Sequence, residues 1–165
     1  MNIDTLKRLL LFFLLGLTQA LVFNRILLFG CGMPFLYIYF VLMFPRSYPK
    51  WGMLLWSFCM GLVVDMFSNT PGLACASLTL IAALQPYLLE LFLPRDADDN
   101  IIPSAHTLGW DKFASFTSIL TIIFCVTFFT LEAFTFFNWL QWLQCVTGSA
   151  ILTILLILTL ENIRK

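Results

Sequence analysis

From Trp139 to Leu160 the chain carries no charged side chain. A helix needs roughly 20 apolar residues to cross a hydrocarbon core, and this run is long enough. A second uncharged run extends from Phe113 to Leu131. In lipid, backbone N–H and C=O groups have no water to bond, so such runs fold as α-helices. Shorter apolar stretches fill most of the remaining sequence. The chain is therefore expected to be an all-α, polytopic membrane protein, with residues 1–165 forming a single integral membrane domain. Composition agrees, at 61% hydrophobic and 11% charged, where soluble domains lie nearer half and a quarter.

Six spans are expected, at about 9–23, 33–44, 51–67, 73–93, 113–137 and 139–160. Lys7-Arg8 before the first run has the look of a secretory signal, and Thr18-Gln19-Ala20 weakly resembles a cleavage site. Because the sequence stays apolar to its end, a retained first span is expected instead. The second stretch, Ile26 to Phe44, is broken by Gly30, Gly32 and Pro34. Its continuous helical part, Phe35 to Phe44, is about half a span. Pro45-Arg46-Ser47-Tyr48-Pro49-Lys50 is a polar turn with two prolines to stop a helix. The third span is short, and Ser68-Asn69-Thr70 separates it from the fourth, with Pro71 suited to a first helical turn and Thr70 or Asn69 to the N-cap. Spans 2 and 3 are thus expected to be short or broken. Residues 94–112 form the longest polar loop, read as a flexible connector or, alternatively, a cytoplasmic docking surface.

Lysine and arginine orient these spans. With six crossings, Lys7, Arg8, Arg46, Lys50, Arg95, Lys112, Arg164 and Lys165 fall on one side and only Arg25 on the other. Loops rich in lysine and arginine stay in the cytoplasm, which places both termini there. Trp51 and Trp110 would then flank inner helix ends, and Trp139 and Trp142 the outer end.

The stretch Gly61-Leu62-Val63-Val64-Asp65-Met66-Phe67-Ser68-Asn69-Thr70-Pro71-Gly72 departs most from this apolar pattern. A carboxylate within a membrane span is costly and marks a candidate site. Trp51 to Phe67 spans roughly 25 Å of helix, so Asp65 and the break after it are expected near the outer surface. Two readings stay open. Asp65 and the Ser-Asn-Thr turn satisfy each other and the next helix terminus, whose dipole favours an anion. Alternatively, Asp65 faces a cavity or partner and binds something, with Arg25, Gln19 and Asn24 at the same end. An Asp65–Arg25 pair is expected under the second. Glu132, late in its span, either snorkels toward the interface and Asn138 or Gln141, or contacts a partner or ligand. Gly16, Gly61 and Gly148, with Ser149 and Ala150, permit close helix approach.

Enzymatic classes fare poorly. The sequence has no His-Glu-x-x-His, Gly-x-Ser-x-Gly or P-loop. Its single histidine, His106, lies in the polar loop. Paired-aspartate proteolysis needs two aspartates at membrane depth, and only Asp65 qualifies. The five cysteines stand singly, so neither a disulfide framework nor a zinc site is indicated. No cofactor or metal is expected, and no basic patch points to nucleic acid.

A glycine, a short apolar run, an aspartate and a Ser-x-Thr-Pro-Gly turn, followed by the small residues Ala74, Cys75 and Ala76, resemble the MreD family of rod shape-determining proteins. Asn24-Arg25-Ile26 and Pro34-Phe35-Leu36-Tyr37-Ile38-Tyr39-Phe40 with Pro45 resemble its Bacteroidetes-type version. The likeness covers the chain in length, span number and orientation, and is motif-specific between Pro34 and Pro86. It implies a non-catalytic inner-membrane subunit of the cell-elongation machinery (the elongasome), controlling cell shape and peptidoglycan synthesis. The implied partners are the periplasmic scaffold MreC, the MreB filament, the RodA glycosyltransferase and a penicillin-binding transpeptidase. The family is also similar to the substrate-binding membrane subunits of energy-coupling-factor vitamin transporters. That likeness implies the alternative of a small-molecule site near Asp65, Arg25 and Glu132.

Overall fold

The computed structural model describes residues 3–22, 32–93, 100–133 and 138–164. All regular elements among them are helices: α1 (Ile3–Leu21), α2 (Ile38–Leu42), α3 (Lys50–Ser68), α4 (Leu73–Phe92), α5 (Ala105–Leu108), α6 (Trp110–Ala133) and α7 (Trp139–Ile163). Four of them, α3, α4, α6 and α7, are long and apolar enough to cross a membrane. α1 reaches 19 residues, but Asp4, Lys7 and Arg8 occupy its first turns.

The second apolar stretch is no spanning helix. Among the described residues its helical part is the five residues of α2, and residues 32–37 before it are non-helical. Gly30 lies outside the described residues, as do Asn24, Arg25 and Arg95. The segment from Phe35 to Leu42 is nevertheless the most buried part of the molecule. The other helices wrap it. Phe35 packs its ring against Phe124 at 5.1 Å and Phe128 at 4.9 Å on α6, and Tyr37 meets Phe124 at 5.6 Å. Between helices in lipid, such close packing holds the bundle, because lipid tails are as apolar as the side chains they would replace.

Non-helical backbone at this depth must find side-chain partners. The Gln19 amide on α1 donates to the Pro34 carbonyl at 2.9 Å and accepts from the Leu36 N–H at 2.9 Å. On α7, Ser149 accepts the Met33 N–H and Thr153 the Phe35 N–H, each at 3.0 Å. Three polar side chains on two helices thus do what an α-helix would have done internally.

α3 and α4 form the tightest helix pair, with α6 packed on α4 and α7 on α6. α3 is 19 residues long, roughly 28 Å, so it comes close to a full span where a short one was expected. The segment after residue 99 is more ordered than a flexible connector. The Ile101 carbonyl accepts from the Arg46 N–H at 3.3 Å, and Ser47 donates to Asn100 at 2.7 Å. Ser104 and Thr107 then close a reciprocal capping box on α5. Residues 94–99 of that loop lie outside the described set.

Candidate functional site

Gly61 and Asp65 lie four residues apart on α3, so they share the face turned to α4. At Gly61 an added Cβ would sit 2.4 Å from Cys75 Cα and 2.8 Å from Cys75 N. No side chain fits, and glycine is what lets the start of α4 touch α3. One turn on, Asp65 meets that same helix start. Its Oδ1 accepts the Ala74 N–H and its Oδ2 the Cys75 N–H, both at 2.9 Å. The Thr70 hydroxyl donates to Oδ1 at 3.1 Å.

The turn geometry makes this possible. α3 ends on Asn69, which takes the left-handed conformation (φ 55°) that asparagine tolerates. The Asn69 and Thr70 N–H groups both bond the Asp65 carbonyl. Gly72 adopts φ 87° at the N-cap position and offers no side chain of its own. Thr70 or Asn69, expected from sequence as the N-cap, is displaced from that role. Asp65 caps α4 from across the turn instead. Pro71 sits in the turn rather than in the first helical turn, since α4 starts at Leu73. Asp65 is only 5% exposed. Its negative charge is held by the positive end of α4 and two charge-assisted hydrogen bonds.

This clasp forms one wall of a cleft of about 420 Å³. Val64, Phe67, Ser68, Thr70 and Ala74 line that wall. Gln19 and Leu21 of α1, Phe128 and Glu132 of α6, and Met33, Phe35 and Tyr37 of the buried segment complete the lining. Tyr37 is 1% exposed and its hydroxyl has no hydrogen-bond partner among the described residues.

The sequence candidates therefore divide. Gln19 and Glu132 line one cleft; Asp65 itself does not, although its neighbour Val64 and its hydrogen-bond partners Thr70 and Ala74 do. Asp65 and Gln19, however, spend their polar atoms on the protein's own backbone. Glu132 is exposed on the rim, and no described residue hydrogen-bonds it. Arg25, and with it the expected Asp65–Arg25 pair, lies outside the described residues. Of the three glycines, only Gly61 is demanded by packing. Gly148 has open space around its Cβ position, and Gly16 meets only ordinary contacts at 3.5 Å or more.

Sequence reasoning missed three contributors. Tyr37 stands in the Pro34-to-Phe40 motif, but nothing in the sequence assigns it a role. Thr153 and Glu161 went unremarked, although Ser149, Thr153, Ile157 and Glu161 recur at intervals of four along the buried face of α7. The polar residues on that face, Ser149, Thr153 and Glu161, were the available signal. Glu161 accepts from the Tyr39 hydroxyl at 2.6 Å and from the Ala105 N–H at 3.1 Å, fastening α5 to the far end of the bundle.

Among the described residues, no group of three or more His, Cys, Asp or Glu side chains could hold a metal ion. Comparison with protein-family models, with curated proteins and with solved structures finds no match to this chain.

Proposed function

We propose that this chain is a membrane subunit of the bacterial cell-elongation machinery, an MreD-like scaffold that seats an MreC-like partner. It works beside MreB-type filaments, a RodA-type glycosyltransferase and a penicillin-binding transpeptidase. Both termini face the cytoplasm, and the Asp65 cleft opens toward the periplasm. The reading rests on the resemblance of the Gly61–Gly72 stretch. The observation that carries it is the form of the cleft beside that stretch. Its rim holds Leu21 at 65% exposure and Phe67 at 62%. A half-open groove with an apolar rim and one free carboxylate suits a partner helix followed by a polar segment. The commitment of both Asp65 oxygens to α4 favours a scaffolding role over a catalytic one.

The transporter-type alternative has one observation in its favour. Phe35, Tyr37 and Phe128 converge on the cleft with the polar Thr70 and Glu132, and its volume falls in the range of small-molecule pockets. Affinity purification of the full chain from native membranes separates the two. Recovery of a single-span periplasmic scaffold, lost in Ala20→Trp, which narrows the cleft, supports the elongation reading. Recovery of ATPase subunits or a bound vitamin replaces it with the transporter reading.

A further inference from the structure

The opposite end of the bundle holds a second cleft, of about 530 Å³. Lys7 and Arg8 reach it from the start of α1 and Arg164 from the end of α7. These cations come from opposite ends of the sequence, and no carboxylate is among the described lining residues. Like charges brought together repel, and an anion offsets that repulsion. Glu161, which bonds the same Tyr39 hydroxyl as Arg164, offsets part of it and leaves Lys7 and Arg8 without a carboxylate in the cleft lining. Two of the three are also held in place. The Arg8 guanidinium lies 4.1 Å from the centroid of the Tyr48 ring and 5.7 Å from that of Phe44. Tyr48 is itself fixed, accepting a hydrogen bond from the Trp56 indole at 3.1 Å. Arg164 donates to the Tyr39 hydroxyl at 3.3 Å.

Leu11, Phe40, Met43 and Phe44 make up an apolar part of the same lining, beside the polar Ser47 and Asn100. The cleft thus combines cations with an apolar wall, at the bundle end where the basic residues gather. Guanidinium groups match phosphate oxygens in pairs, and basic pockets between membrane helices on the cytoplasmic side take anionic headgroups. We infer that this cleft binds the phosphate of an anionic phospholipid, with the first part of an acyl chain along Leu11 and Phe40. The site is independent of the Asp65 cleft and of whatever docks there.

The test uses the full chain in nanodiscs of phosphatidylcholine, with or without phosphatidylglycerol, read by native mass spectrometry and by thermal unfolding. Phosphatidylglycerol should stay bound and raise the melting temperature, and phosphatidylcholine should do neither. Lys7→Gln and Arg8→Gln should each weaken phosphatidylglycerol binding by about fivefold. Lys7 is exposed on the first turns of α1, so that variant leaves the fold intact. Lys112→Gln, a basic residue outside the cleft, should leave binding unchanged. Three results overturn the assignment: equal retention of both lipids, full binding by Lys7→Gln and Arg8→Gln, or an equal loss in Lys112→Gln. Inorganic phosphate stabilising the protein as well as phosphatidylglycerol would replace the lipid with a soluble anion and overturn it too.

Discussion

Two buried carboxylates, Asp65 and Glu161, solve the same problem at opposite ends of the bundle. Each is nearly inaccessible, at 5% and 6% exposure. Each accepts backbone N–H from the start of a helix, two groups for Asp65 and one for Glu161, which helps satisfy carboxylate and helix terminus together. They differ in reach. Asp65 bonds residues nine and ten positions ahead, across one turn. Glu161 bonds Tyr39 and Ala105, separated from it by 122 and 56 positions. The first carboxylate defines a hairpin and the second pins distant parts of the fold to each other. A charge inside a membrane bundle need not mean chemistry. It can be the means by which helix ends are held without water.

The largest effect expected from breaking this symmetry comes from Gly61→Ala. The new methyl would lie 2.4 Å from Cys75 Cα, so α4 must move off α3. That movement also costs the Asp65 hydrogen bonds. A loss of about 4 kcal/mol follows from overpacking plus the lost polar contacts. Reversible unfolding in mixed micelles measures it. A near-neutral result would mean that the two helices do not approach so closely.

Asp65→Ala comes next. It removes two charge-assisted bonds and leaves two N–H groups of α4 buried without an acceptor, at a cost of about 3 kcal/mol. Asp65→Asn keeps one acceptor oxygen and should lose about half as much. Amide exchange should quicken at Ala74 and Cys75 and stay unchanged at Ala105. If Asp65→Asn matched wild type in stability but lost its partner, Asp65 would belong to the docking surface rather than to the clasp.

Glu161→Gln tests the other end. The amide retains one acceptor but must turn an NH2 toward Tyr39 or Ala105, at about 1–2 kcal/mol. Tyr39→Phe should lose a similar amount. The two together should lose less than the sum, since both remove one hydrogen bond. The distinguishing readout is limited proteolysis. Cleavage between residues 100 and 109 should accelerate in Glu161→Gln and not in Asp65→Asn.

The same difference in reach explains what the sequence could reveal. The Gly61-to-Gly72 unit was legible because its geometry is local. Four residues set the shared face, and a Ser-Asn-Thr-Pro-Gly turn sets the break. Even there, the sequence offered both a cap from Asp65 and a local cap from Thr70 or Asn69, and only the turn's φ angles decide for Asp65. The break at Gly32 and Pro34 was also visible. What satisfies it was not, since Ser149 and Thr153 stand 116 and 118 residues away from the N–H groups they accept. Nothing in a helix's own periodicity says which backbone its hydroxyls will meet. Gln19, conspicuous as a polar residue in an apolar span, pointed to a site for the same reason. Its actual work is to replace two missing helical bonds at Pro34 and Leu36.

Gly148→Ala supplies the smallest effect and the opposite sign. On sequence alone Gly61 and Gly148 carried the same expectation, a small residue admitting a neighbouring helix. In the fold Gly61 touches backbone, while a Cβ at Gly148 meets nothing within 4 Å. Without a packing constraint, what remains is the helix interior's preference for alanine over glycine, worth up to about 1 kcal/mol. Gly148→Ala should therefore unfold at the same denaturant concentration as wild type or a slightly higher one. A clear destabilisation would show that something outside this chain approaches α7 at that position. That would make Gly148 a mark of an assembly contact, as Gly61 is of an internal one.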